Sequence, residues 1–298
     1  MQKPSFLVIA AAAALSLVTP VVAQTPTEGT TMPVPSKSGY APVNGVEVYY
    51  AVYGEGEPVV LLHGGFGAIE MFGPVLGLLA EGHQVIGVDL QAHGRTLPHD
   101  RPMTFENMGD DIAALIGWLG HDKADVMGYS TGGGVALRVG IQHPEMVDKL
   151  ILVSTPFARS GWHQSTLDGM AQIGTASAQG MKQTPMYGLY SQIAPDISNW
   201  TKLHEQQGKL VNAHFDYAAE VKTMKVPTMI VVGDWDAVRI SHAAAFFELL
   251  GGGITDAGWD GSGMNANRLA ILPNLTHYTI FMDPQLATTA IGFLDAPR

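Results

Sequence analysis

Short runs of consecutive apolar residues alternate along this chain with longer segments of helical period. Pro58-Val59-Val60-Leu61-Leu62 is wholly apolar, as a strand covered on both faces must be. A helical stretch from Met71 to Ala80 follows, then a strand over Gln84 to Asp89, a helix over Phe105 to Leu119 and a strand over Ala124 to Gly128. Next come a helix over Thr131 to Gln142, a strand over Leu150 to Ser154, and later strands at Pro227 to Val232 and Leu269 to Leu272. This alternation predicts right-handed β-α-β units on a mainly parallel sheet. Ahead of it, Val43-Asn44-Gly45-Val46 sets an Asn-Gly pair between two β-prone runs, the signal of a hairpin. Val46 to Tyr53 then alternates as a half-buried strand.

Three stretches depart from the pattern. Lys3, the apolar run Phe6 to Val18 and the small residues Val21-Val22-Ala23 read as a signal peptide over 1–23 with cleavage after Ala23. The expected product is secreted or periplasmic, with no stable membrane anchor, because the apolar run is too short for a permanent span. Residues 24–38, rich in Pro, Thr and Gly, read as a flexible linker before a folded domain over 39–298. Between Pro156 and Lys225 the alternation lapses into Trp, Met and Tyr scattered among Gly, Ser and Gln. The run from Gly251 to Arg268 is a glycine-rich loop, and its Asp256, Asp260 and Gly261 miss the spacing of a calcium loop.

With 298 residues, 46% hydrophobic and 14% charged, the chain can bury one large core or two modest ones. A formal charge of -11 speaks against nucleic acid or an anionic membrane surface as partner. Cysteine is absent, which excludes disulfides, thiolate metal sites and a cysteine nucleophile. The oligomeric state is not legible in the sequence.

The chemistry concentrates at Gly128-Tyr129-Ser130-Thr131-Gly132, where a strand breaks into a helix. Glycines on either side let Ser130 take a strained, outward-pointing conformation, the geometry a serine nucleophile needs. The amide of Thr131 then faces any oxyanion formed beside it. A serine hydroxyl needs a base within hydrogen-bond reach, and that base needs an anion to orient it. Two carboxylates, Asp234 and Asp236, share the loop after the strand at Pro227 to Val232, and His277 follows the last strand.

His63-Gly64-Gly65, the loop Asp89 to Arg95, the elbow at Ser130 and His143-Pro144-Glu145, in this order and spacing, resemble the α/β-hydrolase superfamily from about Tyr40 onward. The resemblance implies an α/β fold with a mostly parallel eight-stranded sheet flanked by helices. It places the nucleophile after the fifth strand, the acid after the seventh and the histidine after the eighth. On that pattern Ser130, Asp236 and His277 form the catalytic triad, with Asp234 a turn-former. The oxyanion donors are the amides of Thr131 and Gly65, with Phe66 the alternative register. His63 braces the oxyanion loop, and His93 and Arg95 have structural roles. The irregular stretch at about 157–225 corresponds to a small cap inserted after strand six. Its Met and aromatic residues, without a charged cluster, favour an apolar group in the pocket. His204 and His214 lack metal-like spacing and read as solvated.

The expected activity is that of an exported serine hydrolase on a small, largely apolar carboxylic ester or lactone, needing no cofactor or metal. Cofactor-free haloperoxidase or perhydrolase activity and carbon-carbon bond hydrolysis use the same scaffold and are the alternatives. A non-catalytic binding protein is the remaining one, set against the fact that all three triad positions are filled.

Overall fold

The computed structural model describes residues 32–297, so the expected signal peptide and most of the expected linker lie outside the described residues. Eight strands form one sheet: β1 (Lys37–Val43), β2 (Val46–Tyr53), β3 (Pro58–Leu62), β4 (Gln84–Val88), β5 (Ala124–Tyr129), β6 (Val147–Val153), β7 (Thr228–Trp235) and β8 (Arg268–Thr276), in the order β1-β2-β4-β3-β5-β6-β7-β8. β1 and β2 join antiparallel, and the six strands from β4 to β8 run parallel to one another. The Asn44-Gly45 turn is the expected hairpin, with φ of 49° and 79° at its two residues. β1 begins at Lys37, so the sheet takes in the last two residues of the stretch expected to be linker.

Helices cover both faces. α1 (Pro74–Ala80) and, from the far end of the chain, α10 (Pro284–Leu294) pack together on one side, burying Leu76, Leu79, Leu286 and Ala290 against Val59, Leu61 and Met127. The other side carries α2 (Phe105–Trp118) and α3 (Thr131–Gln142), whose Ile112, Leu115, Val135 and Ala136 meet Val60, Leu62 and Val126. Successive strand residues thus feed two separate cores, which is why the central strands read as unbroken apolar runs.

Between β6 and β7 lies the irregular insertion: α4 (Gln164–Met170), α5 (Ser177–Gly180), α6 (Pro185–Ile193), α7 (Trp200–Asn212) and α8 (Ala218–Val221). Trp200, Leu203 and Leu210 of α7 are buried; an isolated β-bridge from Ala158 to Asp216 joins the two ends of the insertion, and one from Trp162 to Val238 ties it to the body. α9 (Ile240–Leu249) then leads to the glycine-rich loop and β8.

Several boundaries differ from the sequence expectation for local reasons. The helix expected over Met71 to Ala80 is split by Gly73 (φ 46°) into a short turn at Ile69–Phe72 and α1, which Pro74 opens. β6 starts three residues early, at Val147, because Lys149 is a buried strand residue: its Nζ donates to the carbonyls of Phe293 (3.1 Å), Leu294 (2.5 Å) and Ala296 (2.7 Å), closing the C-terminal end of α10. β8 runs on through Pro273 to Thr276 with a register shift opposite Gly233 to Trp235, which an edge strand tolerates.

Candidate active site

Ser130 sits between β5 and α3 with φ 52° and ψ −113°, a conformation a non-glycine residue holds only where its surroundings force it. The sequence supplies that force through the two flanking glycines. A Cβ on Gly128 would stand 2.1 Å from the Gly132 carbonyl oxygen, and one on Gly132 would stand 2.3 Å from that of Leu62. The elbow is therefore pressed against the end of β3, and the serine points away from both.

His277 follows β8 and Asp236 follows β7, and the parallel sheet brings both to the elbow. The Ser130 hydroxyl donates to His277 Nε2 at 3.1 Å, and His277 Nδ1 donates to Asp236 Oδ1 at 3.0 Å. With Nδ1 carrying the proton, Nε2 is the acceptor, the tautomer a base needs. His277 and Asp236 are buried, and the Tyr129 hydroxyl donates to the His277 carbonyl at 2.6 Å. Trp162 of the insertion meets the imidazole edge-on at 5.6 Å.

Asp236 has a further partner that no motif announces. Ser154, immediately after β6 with φ 52°, is fully buried and donates its hydroxyl to Asp236 Oδ2 at 2.5 Å. The amides of Gly233 (3.1 Å) and Val238 (3.0 Å) complete the set. Burial pushes the Asp236 carboxyl up, but the hydrogen bond and charge of His277, with the Ser154 and Val238 bonds, outweigh it and hold the group below the usual carboxylate range. The carboxylate stays ionised beside the imidazole. Asp234 is not the local turn-former expected: its Oδ1 accepts from the Leu275 amide at 3.2 Å, across to β8.

The loop after β3 lies against the elbow. A Cβ on Gly65 would stand 3.1 Å from the Thr131 hydroxyl. Among the described residues none accepts a hydrogen bond from the amides of Gly65, Phe66 or Thr131, so all three are free to donate to a bound oxygen. His63 holds this loop from behind: Nδ1 donates to the Gly64 carbonyl at 2.7 Å, and Nε2 accepts from the Leu90 amide at 3.0 Å. Complete burial pushes its pKa down to about 4, so it is a neutral brace. Arg95 pairs with Asp89 at 2.9 Å and with Glu70, and Asp89 Oδ1 accepts from the Ile69 amide, fixing the loop after β4.

Two cavities open here. A chamber of about 30 Å³ beside Ser130 and Thr131 is walled mainly by Phe105, Trp162, Met170, Val211 and Phe215. A vestibule of about 350 Å³ lies between the segment 100–106 and α7, and it carries charge. The expectation of a pocket without charged residues thus describes the chamber and not the vestibule. Sequence reasoning missed the vestibule because its charges come from two segments a hundred residues apart. His204 is fully buried on α7 rather than solvated, its Nδ1 within 2.8 Å of the Ser177 hydroxyl and its ring 4.4 Å from Phe66. Next to it, Gln207 Nε2 donates to the Thr131 hydroxyl at 3.0 Å, linking the insertion to the elbow. Among the described residues no group of three His, Cys, Asp or Glu side chains could hold a metal ion.

Comparison with known proteins agrees with this architecture. A putative esterase/lipase of Haemophilus influenzae is 28% identical over 127 residues, 42% of this chain and 44% of that protein, so the chain spans under half the relative's length. The 2-hydroxy-6-oxo-6-(2'-aminophenyl)hexa-2,4-dienoic acid hydrolase of Metapseudomonas resinovorans is 26% identical over 274 residues, 84% of this chain and 88% of that one. The crystal structure of carboxylesterase CesB (YbfK) from Bacillus subtilis matches with a TM-score of 0.68 at 17% identity, over 89% of this chain and 94% of the other, a likeness of fold. The family model of the alpha/beta hydrolase fold matches residues 57–244, from the strand before the Gly64-Gly65 loop to the helix after Asp236, and the chain belongs to that family.

Proposed function

We propose that this chain is an exported serine hydrolase that cleaves a carboxylic ester or lactone through an acyl-enzyme. The observation that carries the reading is the continuous hydrogen-bonded line from the Ser130 hydroxyl through both ring nitrogens of His277 to Asp236. Ser130 attacks the carbonyl while His277 Nε2 takes its proton, and Asp236 balances the charge of the imidazolium. The amides of Thr131 and Gly65, or of Phe66 in the alternative register, stabilise the oxyanion. His277 returns the proton to the leaving alcohol, then activates a water that releases the acid and restores Ser130. The apolar chamber favours an apolar acyl group. Export rests on the reading of residues 1–23.

A panel of p-nitrophenyl esters, run with Ser130→Ala and with fluorophosphonate labelling, tests this. The variant should lose labelling and at least about 10³-fold in kcat/KM. Unchanged turnover would end the reading. Carbon-carbon bond hydrolysis is a second reading, supported by the relative that aligns over most of the chain and is named for a 2-hydroxy-6-oxo-dienoic acid. Turnover of such an acid by a protein inert to every ester would select it.

A further inference from the structure

We propose that the Thr131 hydroxyl is a third donor to the oxyanion, aimed at it by Gln207 of the insertion. This rests on the serine-hydrolase reading and adds one side chain to the two backbone amides of that mechanism.

Gly65, Thr131 and Gln207 meet at one point. Gln207 Nε2 donates to Thr131 Oγ1 at 3.0 Å. A Cβ on Gly65 would collide with that Nε2 and stand 3.1 Å from Thr131 Oγ1, so only a bare glycine backbone lets the amide group and the hydroxyl close over it. The hydroxyl therefore adjoins the backbone of both Thr131 and Gly65, whose amides have no acceptor among the described residues. Thr131 lines the chamber beside Ser130.

The hydroxyl proton decides the role. A hydroxyl carries one proton and two lone pairs, and the Gln207 amide holds one of those pairs. Among the described residues no atom accepts from Thr131 Oγ1. Turned away from a donor and without an acceptor in the protein, the proton is left for an oxygen that arrives with the substrate. The oxygen beside Thr131 is the one that turns negative when Ser130 attacks. The hydroxyl donates a hydrogen bond and keeps its proton, so no bond to Thr131 forms or breaks. Gln207 is buried, and its Oε1 has no partner among the described residues. A leucine would fill the same space without stranding a polar atom, which marks the bond to Thr131 as what the amide is there for. One turn earlier on the same face of α7, His204 sets its ring 4.4 Å from Phe66. The helix thus steadies the oxyanion loop with one side chain and aims the hydroxyl with the next.

The full chain is assayed on the p-nitrophenyl ester it turns over best and inhibited by a trifluoromethyl ketone with the same acyl group, which adds to a serine as a charged hemiketal. Thr131→Val keeps the shape and the backbone amide but has no proton to give. Its kcat should fall about 10²-fold with KM within about twofold, and the Ki of the ketone should rise by a similar factor. Thr131→Ser puts the proton back and should recover most of both losses. Gln207→Leu leaves the hydroxyl unaimed and should lower kcat about fivefold. Gln207→Glu draws the hydroxyl proton to its own carboxylate and should cost more than leucine; this pair serves if the valine variant does not fold. A valine variant within about twofold of the parent in kcat and Ki, or a serine variant as impaired as the valine one, overturns the third donor. A glutamate variant as active as the parent overturns the aiming role of Gln207. Fluorophosphonate labelling separates the failures: a labelled Ser130 in a protein indifferent to the Thr131 hydroxyl sinks this proposal alone, whereas no labelling and no ester turnover sinks the hydrolase reading.

Discussion

Ser154→Ala removes one hydroxyl that lines neither cavity yet faces Asp236, the acid of the proposed triad. The lost bond is 2.5 Å long, fully buried and made to a carboxylate. Hydrogen bonds to charged groups contribute about 1.5 to 3 kcal/mol, so full expression in the transition state would cost about 10- to 150-fold. Asp236 keeps the Gly233 and Val238 amides and His277, so the loss should fall near the lower end, about tenfold in kcat/KM and mostly in kcat. The pH profile supplies the signature. Ser154 is among the groups that hold Asp236 low, so its removal lets the carboxyl rise, and the acid edge of activity should move to higher pH. Ser154→Gly separates the hydroxyl from the backbone: φ is 52° here, so glycine relieves strain that alanine keeps. Both variants should lose activity alike while the glycine form melts higher. An alanine variant within about twofold of the parent in kcat/KM, with a superimposable pH profile, would refute the role given to Ser154.

Gly132→Ala should destabilise the fold by about 3 kcal/mol or more, read as a lower denaturation midpoint, because its Cβ would meet the carbonyl oxygens of Leu62 at 2.3 Å and His63 at 2.5 Å, neither of which can swing aside. Acid should destabilise the protein independently of catalysis. Burial pushes His63, His204 and His242 down to about 4 and His93 to about 3, so the unfolded chain binds protons first. Depressed folded-state values mean stability that is present above about pH 6.5 and lost toward pH 4, by about 1.4 kcal/mol per pH unit for each histidine. Burial also raises Asp89 to about 6, which opposes one of the four. Denaturant melts from pH 7 to 4 check this, and a flat midpoint over that range contradicts it.

The sheet and the tight turn that carries Ser130 were legible because both write themselves locally. Five apolar residues in a row at β3, or Gly-x-Ser-x-Gly at the end of β5, need no distant partner to be read. His277 and Asp236 required the resemblance, since a histidine 147 positions from the serine has no local mark. Ser154 left only a faint signal, a serine ending an apolar strand, and its value comes from the neighbouring acid strand. Lys149 misled in the opposite direction: a lysine reads as the outside of a strand until the end of α10 arrives to surround its ammonium group. The insertion was recognisable as a break in rhythm, but helices as short as α5 and α8 bury too little of themselves to leave a period.

His277 hangs from β8, a strand bonded to the sheet along one side only and already irregular where it passes Gly233. Ser130, by contrast, rises from the end of β5 in the middle of the sheet, between β3 and β6. Loosening of that outer margin would silence the enzyme with the body of the molecule still folded, so turnover reports the attachment of one peripheral strand rather than the integrity of the whole.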